Sequence, residues 1–408
     1  MKSSGGAPAL KRTLGIPMLV FYGLGVTVGA GIFALIVDIV GIAGDHAALA
    51  FLLAGGIAAV TALAYALLAR RYPRAAGEAV YAHAGFGPLA GRLAGFGVAL
   101  TGIISSGVIA LAFTGYVGSL TGLPGPLLTF GVLIVLGSIA AFGVRESIAI
   151  AAVITVMETG TLAVIVVGGS PLLANPDIWL RLAALPSDPI AVEMVVAAAA
   201  LAFFAFIGFE DIVNMAEEAT DPQRILGPAI GLTLLVSVIL YVSITAVAVA
   251  VPDRAAITES EAPLADLFAI TTGLPAEPIA AMAAIAMING ILIQIVMVSR
   301  VIYGMANEGF LPHWLGAVAP RRRTPIRATV LVTATIAGLT LVAPLVTLAQ
   351  LTGYITLAVF TLINLSLWRI AGRNDWQGAH WHQWWGLLGA ALAATLLILE
   401  LARRLNGG

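Results

Sequence analysis

The chain has 408 residues, of which 60% are hydrophobic and only 10% charged, with a formal net charge of −1 and a mean hydropathy of +1.03. That balance excludes a water-soluble globular protein and predicts a chain that crosses the bilayer many times; the net charge itself says nothing about partners, and no nucleic-acid partner is expected. There is no cysteine, which excludes disulfides, thiolate metal sites and cysteine nucleophiles.

A membrane-crossing helix needs about 20 mostly apolar residues at about 1.5 Å each. On that scale spans are expected near 15–42, 47–69, 88–117, 125–143, 147–169, 190–216, 227–251, 278–306, 326–344, 346–370 and 383–402. The reading is an all-α polytopic membrane protein with about eleven transmembrane helices. Its tightest join is expected at Ala343-Pro344. Residues 1–14 are expected to be a retained cytoplasmic N-terminus.

The first span carries Gly23, Gly25, Gly29 and Gly31 within eleven residues, around Thr27 and Ala30. Lipid offers no hydrogen bonds, so unwound backbone at membrane depth persists only where protein buries it or where it lines a cavity. The run is therefore expected to break the first helix and to mark a binding site. Gly23 and Gly25 fit equally well as helix-packing residues, and Thr27 as a residue bonding a carbonyl of its own helix.

The fifth span carries Glu158, eleven residues past Ser147 and so near mid-membrane, with no basic residue close in sequence. Desolvation favours the neutral carboxyl, so Glu158 could take up and release a proton. It could instead ligate a cation such as Na⁺, pair with a basic residue brought close by the fold, or be a satisfied structural group.

The sixth span contains Phe203, Phe204, Phe206, Ile207, Gly208 and Phe209, followed at once by Glu210 and Asp211. Packing alone does not require a glycine flanked by phenylalanines and carboxylates, and a second broken helix is expected here. Interrupted helices in corresponding positions of two halves point to an inverted-repeat transporter with solute bound where the breaks meet. The halves are residues 15–170 and 190–370, each of five spans, with an extra C-terminal helix at 383–404.

The positive-inside rule orients the chain. With the N-terminus cytoplasmic, 16 of the 20 Lys and Arg fall on the cytoplasmic side, and Arg181, Arg254, Arg403 and Arg404 on the other. Arg403-Arg404 is the discordant cluster of this topology.

Several segments carry a resemblance. Gly29-Ala30-Gly31-Ile32-Phe33 is similar to the first-helix signature of the amino acid/polyamine/organocation (APC) transporter superfamily, and residues 203–210 resemble its sixth-helix signature. Residues 72–81, with Tyr72, Pro73, Gly77 and Tyr81, resemble its cytoplasmic loop motif. Ser299-Arg300, Tyr303, Asn307-Glu308-Gly309, Leu311-Pro312 and Thr324-Pro325 resemble the end of its eighth span and the loop beyond. The resemblance covers residues 23 to 325 in the right order.

It implies a secondary active transporter of the cell (inner) membrane that moves an amino acid or related amine by alternating access, most simply as a proton symporter. In the family, amides of the first break hold the substrate carboxylate, here Gly29, Ala30 and Gly31, which suits the positive end of a half-helix. Carbonyls hold the substrate amine, here those of Thr27, Phe204 and Ile207, beside Gly208. Phe206 is expected either as a gate over the substrate or as packing. Glu158 and Glu210 are the candidate coupling residues, although Glu210 could instead be a link that holds the broken segment. Some family members carry a lysine where this chain has Glu158, so a lysine-based coupling scheme does not transfer. Ser105, Ser106, Met282 and Tyr354 are expected pocket walls. The alternatives are an exchanger without ion coupling, and a channel or transport-inactive sensor on the same fold. Asp38, toward the outer end of the first span, could face a vestibule or the headgroups. The histidines form no ligand pair at helical spacing, and no nucleotide-binding loop, metal, cofactor or catalytic set is expected.

Overall fold

The computed structural model describes residues 13–73, 77–142, 148–216, 218–307, 311–319 and 324–405. Lys2, Lys11, Arg12, Arg74, residues 143–147, Glu217, Glu308, Gly309 and residues 321–323 lie outside the described residues, and with them parts of the loop motifs.

Fifteen α-helices carry the described chain: α1 (Ile16–Ala43), α2 (Ala47–Arg71), α3 (Gly77–Phe86), α4 (Pro88–Thr121), α5 (Gly125–Phe142), α6 (Ile148–Gly169), α7 (Pro176–Ala183), α8 (Pro189–Ala202), α9 (Pro222–Ala250), α10 (Ala255–Thr258), α11 (Pro263–Thr272), α12 (Glu277–Asn307), α13 (Ile326–Val342), α14 (Leu345–Ala371) and α15 (Trp381–Leu405). Among the described residues, nine stretches are long and apolar enough to cross a membrane. One of them, Gly31–Arg71, is 41 residues long and contains the turn between α1 and α2, while the 17-residue α13 is a further short apolar helix. Dividing the first at its turn and adding α13 gives eleven crossings. Proline at the first turn of α1, α4, α8 and α9 sets these starts, since its missing N–H has no helical partner there. The join between α13 and α14 is only Ala343-Pro344. The short helices α3, α7, α10 and α11 lie between spans, where the sequence reading placed only loops.

The central helix is α1, which packs against α6, α8, α9 and α12 and against the sixth span beyond α8. The sixth span is broken as expected. After α8 the chain runs through a 3₁₀ turn, Phe203–Phe206, turns at Ile207 (ψ 132°) and Gly208 (φ 124°), and resumes as a second 3₁₀ segment, Phe209–Met215. Only glycine adopts that φ without strain.

The first span is not broken, and this corrects the sequence expectation. Helix α1 runs from Ile16 to Ala43, and the positive-φ glycines of the described chain are Gly44, Gly87, Gly122, Gly208 and Gly273. The four glycines instead admit neighbours that a Cβ would displace. At Gly23 a Cβ would lie 2.6 Å from Ile212, at Gly25 2.3 Å from Thr155 Oγ1, at Gly29 2.9 Å from Glu158 Oε1, and at Gly31 2.3 Å from Ala205 Cα. Small residues let helices approach this closely, and here they seat α6 and the sixth-span break on α1.

Helix α15 packs on α14, α2 and α8. Its buried Glu400 accepts from Tyr354 Oη at 3.0 Å and pairs with Arg403 and Arg404. Tyr354 therefore faces α15 and is not a pocket wall. The Arg403-Arg404 cluster, discordant by charge counting, is held by an acid of its own helix. Just past the C-terminal end of α1, Asp45 receives Arg181 at 2.9 Å and is also bonded by Arg254, joining the α1–α2 turn to α7 and to the segment after α9.

Candidate functional site

The site is built where the sixth-span break meets α1. A Cβ on Gly208 would lie 2.8 Å from Val26 Cγ1 and 2.9 Å from the Thr27 amide nitrogen, so the break rests on α1 backbone at these two residues. From α9, the buried hydroxyl of Tyr241 lies 2.8 Å from the Thr27 carbonyl oxygen and 2.9 Å from that of Ala205. A phenol has one proton, so two converging carbonyls share one donor. The Thr27 carbonyl thus faces the sixth-span break across this hydroxyl. Its partner on the sixth span is Ala205, because the Phe204 carbonyl closes the turn by accepting from the Ile207 N–H at 3.2 Å.

Gly29, Ala30 and Gly31 stand in unbroken α1, with Gly29 facing Glu158 and Gly31 facing Ala205. Glu158 is 2% exposed, and neither of its carboxyl oxygens has a hydrogen-bond partner. The Thr27 hydroxyl is also buried without a partner. Thr155 and Glu158, three residues apart on α6, meet Gly25 and Gly29, four apart on α1. These i,i+3 and i,i+4 spacings put both members of each pair on one helix face.

Phe206 is fully buried, with its ring 5.2 Å from Tyr241 and 6.3 Å from Phe51. It packs between α2 and α9, the packing alternative of the sequence reading. Glu210 turns back on the break, and its Oε2 accepts the Gly208 N–H at 2.8 Å. This contact ties the carboxyl group to a backbone donor that the break has freed. Ser105 and Ser106 bond back to the Gly102 carbonyl of their own helix.

Two cavities flank this junction and share no lining residue. The larger, about 740 Å³, is lined by Phe33, Val37 and Asp38 of α1, Leu111 to Tyr116 of α4, Glu259 and Glu261, and the α13–α14 join. Asp38 therefore faces a vestibule. The smaller, about 20 Å³, is lined by residues that include Tyr65, Glu78, Thr101, Gly102, Ile207, Glu210, Asp211, Gln294 and Thr356. Along α4 the two linings are nine residues apart, from Gly102 to Leu111, or about 14 Å.

Sequence reasoning missed Tyr241, Ala205, Glu78, Gln294 and Thr356. Tyr241 and Gln294 carry a signal that could have found them, as polar side chains inside apolar spans. Ala205 acts through its carbonyl and carries none.

The profile of the amino acid permease family matches residues 14–403. An uncharacterised transporter of Mycobacterium tuberculosis is 30% identical over 362 residues, covering 88% of this chain and 80% of that protein. The vacuolar cationic amino acid transporter 4 of Arabidopsis thaliana is also 30% identical over 88% of this chain, which spans 63% of that longer relative. The branched-chain amino acid permease of Bacillus subtilis is 27% identical over 90% of this chain and 82% of its own length.

Proposed function

The chain belongs to the amino acid permease family, and from that premise we propose that it is a secondary active transporter moving an amino acid by alternating access, with proton symport as its coupling. The observation that carries this reading is the broken sixth span seated on Thr27, between two separate cavities that share no lining residue. One cavity opens while the other is shut. Substrate entering the larger one reaches the converging Thr27 and Ala205 carbonyls, where a substrate ammonium takes over the position now held by the Tyr241 hydroxyl. The substrate carboxylate is received at Gly29, Ala30 and Gly31, whose N–H groups become free once α1 unwinds there. That unwinding is a step of the cycle, and glycine makes it cheap because it lowers helix propensity by about 1 kcal/mol per residue. Ala205, Ile207 and Gly208 supply the sixth-span side of the site, and Phe204, whose carbonyl closes the turn, joins them only if that turn opens in the cycle.

Glu158 is the coupling residue in this reading. An ionised carboxylate buried without hydrogen bonds costs several kcal/mol, so a proton accompanies it in the closed state and leaves when α1 and α6 separate. Glu210 holds the break through its bond to the Gly208 N–H. Membership of the family carries a non-enzymatic, membrane-embedded role, and charge placement supports a cytoplasmic N-terminus in the cell membrane.

The larger cavity is lined by Asp38, Glu259 and Glu261 and, among the described residues, by no Lys, Arg or His. A vestibule of that sign concentrates cations and repels anions, so neutral and cationic amino acids are favoured over acidic ones. The reading is tested by uptake of a labelled amino acid panel into proteoliposomes. Saturable uptake of at least one neutral or cationic member supports it, and no uptake or counterflow of any member overturns it.

A further inference from the structure

Helix α3, between the second and third spans, brings a third carboxyl group to the broken sixth span. It packs tightly there, since a Cβ on Gly77 would lie 2.6 Å from Val213 Cγ2. The next residue, Glu78, is 2% exposed and has one oxygen, Oε1, without a hydrogen-bond partner. It lines the small cavity with Glu210 and Asp211, each 7% exposed. The Gln294 Oε1 and Thr356 Oγ1 atoms of the same lining are buried and equally without partners.

Three carboxyl groups and the polar side chains of Tyr65, Thr101, Gln294 and Thr356 therefore surround a space of about 20 Å³, room for about one water, and no Lys, Arg or His lines it among the described residues. The titratable groups facing Glu78 are Tyr65 from α2, Tyr81 from its own helix, and Glu210 and Asp211 from the sixth span. Helices α4 and α14, which also pack on α3, give the cavity Thr101 and Thr356 and no charge, while His83, Arg92 and Arg369 are exposed. Three ionised carboxylates in so small a space would repel one another strongly in a low-dielectric interior. Protons shared among them remove that repulsion.

We propose that Glu78, Glu210 and Asp211 form a proton-binding site that locks this side of the transporter: shared protons hold α3 against the broken sixth span, and opening admits water that accepts them from the carboxyl groups. The proposal rests on the alternating-access reading and adds a site that Glu158 does not provide. Glu158 lies against α1 and lines neither cavity. Burial pushes the Glu78 carboxyl up to about 8, with Asp211 adding to the rise. The sign follows: the closed contact is fully held below the ordinary glutamate value of 4.5 and is lost as pH rises through about 8.

The natural absence of cysteine makes a distance measurement direct. Spin labels on His83→Cys and Gln223→Cys, both exposed, report the separation of α3 from the start of α9. At pH 6 a single short distance is expected, and a longer population grows in above about 8. Glu78→Gln cannot ionise, so the transition moves up by about one pH unit or more, or disappears, and Asp211→Asn shifts it the same way. A distance distribution identical at pH 6 and 9.5, or a wild-type midpoint in both variants, overturns the proposal. The readout needs no substrate. A pH-dependent distance in a protein that transports nothing would sink the transport reading alone, and transport with a pH-independent distance would sink this one alone.

Discussion

Glu158 of α6 and Gly29 of α1 face each other so closely that a Cβ on Gly29 would stand 2.9 Å from Glu158 Oε1. The glycine is what leaves room for the carboxyl group, and the carboxyl group has no other polar partner. Gly29→Ala displaces the far end of a flexible side chain, whereas Gly31→Ala meets the Ala205 backbone at 2.3 Å. Overpacking of this kind costs about 1–3 kcal/mol, and the backbone clash belongs at the upper end. Thermal unfolding in detergent is expected to rank wild type above Gly29→Ala and Gly29→Ala above Gly31→Ala. The reverse order of the two variants would contradict the packing described here.

Tyr241 holds the two helices of the junction through one hydroxyl shared by Thr27 and Ala205. Removing it in Tyr241→Phe leaves buried carbonyls with less than their full complement of donors, at a cost of about 1–3 kcal/mol. The variant is expected to unfold at lower temperature. Its KM for substrate should change more than that of Tyr65→Phe, whose hydroxyl bonds neither carbonyl.

Asp45 ties together Arg181 and Arg254, and the Arg181 hydrogen bond is the largest of the influences that hold its carboxyl below the ordinary value of 3.8. A group with a lowered folded-state value contributes stability above its unfolded value and loses it as pH falls through the folded one. The triad should therefore be intact at neutral pH and fail only below about 3.8. With the Asp45 side chain 38% exposed, the effect is modest and screened by salt. Asp45→Asn is expected to unfold earlier than wild type at pH 7 in low salt, with the difference shrinking at high salt; a salt-independent gap would assign it to packing.

Glu400 is 1% exposed and anchors α15 through Tyr354, Arg403 and Arg404. Removing one partner of a buried ion pair leaves the other uncompensated, so Glu400→Gln should cost about 3 kcal/mol. Arg404, with a 38% exposed side chain, contributes little. Arg404→Gln is expected within about 1 kcal/mol of wild type, and comparable losses in both variants would show that the buried acid is not the anchor.

The eleven crossings and the short α13–α14 join were legible because lipid enforces apolar runs of near-constant length. The sixth-span break was legible at Gly208, where glycine stands beside carboxylates that packing does not require. The first helix was not. Four glycines read equally as a break or as a packing face, and Thr155, Glu158, Ala205 and Ile212, which decide it, lie more than 100 residues away in sequence. Tyr354 was misplaced because residues on a buried helix face two neighbours, and its partner Glu400 belongs to the helix that follows. Glu78 was hidden in a loop motif whose fold into α3 gave no periodic signal.

The central claim is that a proton moving through Glu158 drives substrate across the junction of α1 and the broken sixth span. Its most direct test compares wild type and Glu158→Gln in proteoliposomes, measuring accumulation under an inward proton gradient beside substrate counterflow without one. The account predicts that the variant keeps counterflow and loses gradient-driven accumulation. Accumulation in the variant equal to wild type would contradict it.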